Sequence, residues 1–154
     1  MIKICFVCLG NICRSPMAEF IMKDLINKNN LNNKIIVVSR ATSYEESGNS
    51  IYPPAREKLK ENNIYYDPNK VSIRLEKDDL KKYDFIIAME DRNITNIKRI
   101  FNEDSPKIKR LLDYSNNPRD ISDPWYSNNF DKAYNDILEG CTFLLDFLAK
   151  NNIV

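Results

Sequence analysis

The sequence contains no histidine. That absence excludes Ser-His and Cys-His catalytic pairs and every histidine-ligated metal. Any nucleophile must be activated by local electrostatics, and any general acid must be a carboxylic acid, Lys, Tyr or Cys. Long apolar runs are also missing, and the N-terminus lacks a signal-peptide pattern, so no membrane segment or export is expected. Charge of one sign is not in excess: the formal net charge is +1, which argues against non-specific attraction to nucleic acid or an anionic membrane. Cysteine is sparse. Cys5, Cys8, Cys13 and Cys141 fit neither a disulfide framework nor a zinc site, so a reducing cytoplasm is the simplest setting. Repeats and linkers are absent as well, and the chain is expected to form one domain over residues 1–154.

What is there alternates between strand and helix patterns. Ile2 to Val7, Ile35 to Ser39, Phe85 to Met89 and Ile108 to Leu112 read as short strands. Helices are expected from Ser15 to Asn29, Pro53 to Asn63, Leu75 to Lys82, Asp91 to Phe101 and Asp131 to Lys150. In the first, Ala18, Ile21, Met22 and Leu25 recur at core-facing spacing; in the last, Ile137, Cys141, Leu144, Leu145 and Leu148 do. Such alternation implies an α/β fold with a four-stranded parallel sheet in a doubly wound, flavodoxin-like order, covered by helices on both faces. Ligands in these folds sit beyond the carboxyl ends of the strands.

Cys8-Leu9-Gly10-Asn11-Ile12-Cys13-Arg14-Ser15 lies at such an end, between the first strand and the first helix. A loop at a helix N-terminus carries unpaired backbone N–H groups and the positive end of the helix dipole, so it favours an anion. Gly10 is expected to take a positive φ that curls the loop. The backbone N–H groups from Leu9 to Arg14 would face the bound oxyanion. Arg14 offers a planar donor fork suited to two phosphate oxygens. Cys8 stands at the bottom of the cup, where that field favours thiolate over thiol. The curl also brings Cys13 back towards Cys8, close enough for a protective disulfide on oxidation. A second stretch, Asp113 to Asn129, has no periodicity and is long for a connection without function. Asp123-Pro124 lies inside it, and Asp123 suits a proton donor on a loop that folds over the cup.

Cys-Leu-Gly-Asn-Ile-Cys-Arg-Ser-Pro-Met-Ala-Glu, at Cys8 to Glu19, resembles the signature of the low-molecular-weight protein tyrosine phosphatases. Asp123-Pro124-Trp125-Tyr126 is similar to that family's second motif, in the same order and at the same separation. The resemblance covers essentially the whole chain. It implies a cytoplasmic, metal-free and cofactor-free enzyme, expected as a monomer, that hydrolyses phosphotyrosine in proteins or peptides. Cys8 would be the nucleophile, Arg14 the phosphate clamp and Asp123 the general acid and base. Trp125, Tyr126 and, by a looser match, Tyr44 would wall the mouth, with Glu45 and Glu46 modifying which peptides dock. Asn11, Ser15 and Ser39 match residues that brace the phosphate loop. The family often completes that network with a histidine. This chain has none, and Val71 or Ser72 falls near the position. Glu90 stands where the family usually has Asp, either supporting the acid loop or simply solvated at a strand end.

Three rival readings share the scaffold or the motif. A phosphoarginine phosphatase would be expected to carry Thr where Ile12 stands. An arsenate reductase needs further reactive cysteines in a mobile segment, whereas Cys5 and Cys141 fall on a strand and a helix. A silent phosphopeptide-binding module would not need Cys8, Arg14 and Asp123 together.

Overall fold

A computed structural model describes all of residues 1–154. Four strands, β1 (Ile2–Cys8), β2 (Ile35–Ala41), β3 (Phe85–Ala88) and β4 (Ile108–Arg110), form one parallel sheet in the order β2-β1-β3-β4. β1 is paired along both edges, from Ile2 opposite Ile35 to Cys8 opposite Ala41 on one side, and Ile4 opposite Phe85 on the other. The order reverses beside β1, which makes its carboxyl end the switch point of a doubly wound, flavodoxin-like fold.

Side chains alternate across the sheet, as the two-residue period of a strand requires. Ile4, Phe6 and Cys8 of β1 join a large core with α1 (Arg14–Lys28), α2 (Pro53–Glu61) and α6 (Phe130–Lys150). Cys5 and Val7 join a smaller core on the other face, where Ile97 and Phe101 of α4 (Asp91–Phe101) pack. The core stripes anticipated on α1 and α6 face inward, with Leu25 and Leu145 at their partly buried margins. At Gly140 a β-carbon would come within 2.4 Å of Cγ of Leu111, so glycine is what lets α6 seat against the end of β4.

Two segments differ from the sequence expectation. The helix anticipated from Leu75 shrinks to one turn, α3 (Asp79–Lys82). Leu75 N–H is taken by the Ala41 carbonyl (2.7 Å), which holds this stretch extended beside β2, and Asp79 Oδ2 accepts the Glu76 N–H (2.7 Å) to cap the turn. β4 ends at Arg110, short of Leu112, because Asp113 accepts from the Arg110 backbone N–H (2.9 Å) and from its guanidinium. That folds Leu111–Tyr114 into a 3-10 turn. The loop that follows is not structureless: Pro124–Ser127 forms a short turn of helix, α5.

Candidate active site

The octet runs from the last residue of β1 to the first turn of α1, which starts at Arg14 with Cys13 as its N-cap residue and Pro16 in its first turn. The carbonyls of this loop are tied outward to the scaffold. Thr42 N–H donates to the Cys8 carbonyl (3.0 Å), Ser43 N–H to Leu9 (3.0 Å), Tyr52 N–H to Ile12 (2.9 Å) and the Ser72 hydroxyl to Gly10 (2.7 Å). With their carbonyls pulled away, the N–H groups of Leu9, Gly10, Ile12 and Cys13 donate to no protein acceptor. Asn11 N–H donates to Cys8 Sγ at 3.2 Å. The result is a ring of inward donors at a helix N-terminus, built to receive an anion.

The curl of the loop is made differently from the expectation. Gly10 does not take a positive φ; Asn11 does, at 55°. Asn tolerates the left-handed region better than most residues, and here its side chain is held from both ends. At Gly10 a β-carbon would stand 3.3 Å from Cγ of Glu46, a close contact that a small shift of that side chain would relieve.

Behind the loop lies a buried polar network. Cys8 Sγ and Ser15 Oγ are 3.0 Å apart. Asn11 Nδ2 donates to Ser15 Oγ (2.7 Å) and to Ser39 Oγ (2.9 Å), and Ser39 passes its hydrogen to Glu19 Oε1 (2.6 Å). Asn11, Ser15 and Ser39 are thus assembled behind the cup, with their side chains off the surface that a ligand would touch. Ser15 is not the N-cap of α1. Ser72 reaches the loop through Gly10, whereas Val71 sits partly exposed in a bridge with Ser50. The group that reaches Asn11 is Lys70, whose Nζ donates to Oδ1 at 3.1 Å. Lys70, Glu19 and Ser43 were not singled out by sequence reasoning. Lys70 is 59 positions from Asn11, and no spacing pattern links the two.

Arg14 is almost fully buried. Its Nη1 donates to Glu90 and to the Ile121 carbonyl (2.8 Å), and its Nη2 lies 3.2 Å from Asp123 Oδ2. Burial opposes the charge, but Cys8, Asp123 and Glu90 more than offset it and hold the guanidinium above the usual arginine value. Nε–H and the second Nη2 hydrogen remain without a protein partner, one donor edge left for an anion. Glu90 is therefore not merely solvated. It orients Arg14, while Asn93 Oδ1 accepts from Met89 N–H (3.2 Å) and Glu90 N–H (3.1 Å) to set the start of α4.

Asp123 is the N-cap of α5. Its Oδ1 accepts from Trp125 N–H (3.0 Å) while Oδ2 faces Arg14, so both oxygens are placed. The loop that carries it is pinned at its base: Ile121 N–H donates to the Met89 carbonyl (2.9 Å), and Arg119 pairs with Asp136 (2.9 Å) and Glu139 of α6.

One cleft opens onto these groups. Cys8, Ile12, Cys13 and Arg14 line its floor with Leu9 and Gly10, and Asp123, Trp125 and Tyr126 line one wall. The Trp125 ring leans on Tyr52, with ring centres 4.8 Å apart. The opposite wall is Ser43, Glu45 and Glu46 rather than Tyr44. Tyr44 lies against the Arg74 guanidinium (4.5 Å) and donates to Glu76 (3.2 Å), which draws its ring off the cleft. The structure thus brings nine of the loop and acid-loop candidates to one cavity, sets Asn11 and Ser15 behind it, and leaves Tyr44 outside.

Residues 3–153 match the family model described as low molecular weight phosphotyrosine protein phosphatase. The chain is 38% identical over 152 residues to the low molecular weight protein-tyrosine-phosphatase PtpA of Staphylococcus aureus, covering 98% of this chain and 96% of that one. Among solved structures it is similar to YfkJ from Bacillus subtilis, with a TM-score of 0.94 and 38% identity over 98% of this chain and 96% of that one. It is also similar to SP-PTP, a low molecular weight protein tyrosine phosphatase from Streptococcus pyogenes, with a TM-score of 0.85 and 38% identity over 97% and 93% of the two chains.

Proposed function

The chain belongs to the low molecular weight phosphotyrosine protein phosphatase family, and we propose that it hydrolyses phosphotyrosine in proteins through a cysteinyl-phosphate intermediate. The observation that carries this reading is the convergence of a thiol, a guanidinium and a carboxyl on one cleft whose floor is a ring of unpaired N–H groups. The whole chain is read as one catalytic domain.

In the first step Cys8 Sγ attacks phosphorus in line. The S–P bond forms as the bond to the phenolic oxygen breaks, and Asp123, protonated at this stage, delivers its proton to that oxygen. The loop N–H groups and the free edge of Arg14 hold the three equatorial oxygens as their charge shifts. In the second step water gives its proton to Asp123 and attacks phosphorus, and the S–P bond breaks. Ser15 Oγ, 3.0 Å from the sulfur, is placed to donate to the departing thiolate. Every role falls to a side chain of this sequence or to its backbone, without a histidine.

Trp125 and Tyr126 give the wall an aromatic surface for the ring of phosphotyrosine, and Ile12 gives the floor an apolar one. The apolar floor favours a phosphate ester over phosphoarginine. The four cysteines are free, which suits a reducing cytoplasm, and no helix is long and apolar enough to cross a membrane. The test is turnover of para-nitrophenyl phosphate and of a phosphotyrosine peptide. Wild type should hydrolyse both, and Cys8→Ser neither. Quenched wild-type reactions should contain phosphate on Cys8. Hydrolysis by Cys8→Ser at the wild-type rate would overturn the mechanism.

A further inference from the structure

The Lys70 side chain is only 10% exposed, yet it lines neither the cleft nor the surroundings of Cys8 Sγ. Its segment is fastened to the 48–49 loop, where Ser72 N–H donates to the Asn49 carbonyl (2.8 Å) and Gly48 N–H to the Ser72 carbonyl (3.0 Å), and to the phosphate loop, where Ser72 Oγ donates to the Gly10 carbonyl. Nζ of Lys70 donates to Asn11 Oδ1 and to the Ser39 carbonyl, both at 3.1 Å, while Glu19 Oε1 is farther, at 3.9 Å. Glu19 is already served by Ser39 and by Lys23 (2.6 Å), so Lys70 is not there chiefly to neutralise it.

An amide has a donor end and an acceptor end, and its neighbours decide which way it lies. Both groups that meet the Asn11 oxygen can only donate: the Lys70 ammonium and the Ile73 backbone N–H (3.2 Å). Oδ1 must face them, so Nδ2 must face Ser15 and Ser39. Ser15 Oγ then accepts from Asn11, which leaves its own hydrogen for Cys8 Sγ at 3.0 Å or the Arg40 carbonyl at 3.4 Å. The shorter contact is to sulfur. Cys8 therefore receives two donors, the Ser15 hydroxyl and the Asn11 N–H. A charged sulfur gains far more from them than a neutral thiol does.

We propose that Lys70 is a positioning residue that sets the direction of the Asn11–Ser15 hydrogen bonds and so stabilises the Cys8 thiolate, both as attacking group and as leaving group. Burial lowers the proton affinity of Lys70, with Arg40 and Lys23 acting in the same sense and Glu19 and Cys5 opposing. The hydrogen bonds to Asn11 Oδ1 and the Ser39 carbonyl hold the ammonium against the network. The inference rests on Cys8 being the nucleophile.

The experiment follows the pH dependence of Cys8 alkylation by iodoacetamide, a neutral reagent whose approach does not depend on the charge of Lys70. Labelling is located by peptide mass mapping and should be blocked by phosphate. In Lys70→Met, which keeps the aliphatic stem, the alkylation midpoint should rise by about one pH unit, with a matching fall of about tenfold in kcat for para-nitrophenyl phosphate. Should Lys70→Met not fold, Lys70→Gln carries the same test, because its uncharged amide both donates and accepts, which leaves the Ile73 N–H as the one obligatory donor on Oδ1 of Asn11. In a Ser15→Ala background the Lys70 substitution should move the midpoint by less than half as much, since the relay is already cut. A wild-type midpoint in the folded Lys70 variant would overturn the proposal. So would an undiminished shift in the Ser15→Ala background, which would reduce Lys70 to a distant charge. If iodoacetamide does not label Cys8 of the wild type in a phosphate-sensitive way, the nucleophile assignment falls, and this inference with it.

Discussion

Nη2 of Arg14 lies 3.2 Å from Oδ2 of Asp123, so the two groups proposed as phosphate clamp and general acid are paired directly. In the proposed mechanism this pairing sets the proton donor beside the group that holds the phosphoryl oxygens.

Asp123→Asn keeps the shape and the Trp125 N–H acceptor but carries no proton to transfer. General acids contribute roughly 10²–10⁴-fold. Phenyl phosphate, whose leaving group needs protonation, should slow by about that much, and para-nitrophenyl phosphate by far less. Equal slowing of both esters would show that Asp123 does not protonate the leaving group in the limiting step.

Glu90→Ala removes the carboxylate that meets Nη1 of a nearly fully buried arginine. Hydrogen bonds to charged groups are worth about 1.5–3 kcal/mol, and denaturant unfolding should report a stability loss in that range. Turnover should fall at least about tenfold, corresponding to ~1.4 kcal/mol, because the free edge of Arg14 loses its orientation. Wild-type turnover at reduced stability would mean that the Ile121 carbonyl and Asp123 orient the guanidinium by themselves.

The outline of this site was legible in the sequence because its parts are local. Cys8, Arg14 and the amides between them fall within one strand-loop-helix step, and Asp123-Pro124 is a turn signal inside an aperiodic stretch. The fold was legible for a similar reason: β1 is buried on both faces, and α4 and α6 carry regular apolar stripes. What escaped was set by contacts between distant segments. β4 stops early because Asp113 turns back on Arg110. The left-handed residue is Asn11 rather than Gly10, and distant Lys70 and Ser39 hold its side chain there. Tyr44 leaves the cleft for Arg74, a partner 30 positions away. No periodicity or local propensity encodes such pairings.

Ile12, whose own carbonyl is held by Tyr52 N–H (2.9 Å), lines the cleft together with Cys8. It offers no hydrogen bond to the guanidino nitrogens of phosphoarginine. Ile12→Thr should gain activity on a phosphoarginine peptide and lose little on phosphotyrosine, as measured by phosphate release at matched concentrations. Faster release from phosphoarginine than from phosphotyrosine by the wild type would overturn the substrate assignment.

Cys13 lines the same cleft as Cys8, and both thiols are free. Burial, with Cys8 and Asp123 adding to it, pushes the Cys13 thiol well above the ordinary cysteine value. Cys13 therefore stays protonated and is a poor target for peroxide, whereas Cys8 receives donors that favour its thiolate. Peroxide should oxidise Cys8 first, to a sulfenic acid with loss of water. Once Cys8 is an uncharged sulfenic acid its charge no longer opposes ionisation of Cys13, whose sulfur attacks the sulfenic sulfur. The Cys13 proton leaves with the displaced hydroxide as a second water, and the disulfide that remains is returned to two thiols by dithiothreitol. Wild type exposed to peroxide should lose activity, show a Cys8–Cys13 linked peptide by mass mapping, and recover most of its turnover on reduction. Cys13→Ser should begin with most of the wild-type activity and recover poorly, because its Cys8 proceeds to the irreversible sulfinic acid. Sulfinic acid on Cys8 beside a free Cys13 in the wild type, or equal recovery of the two proteins, would rule the protective role out.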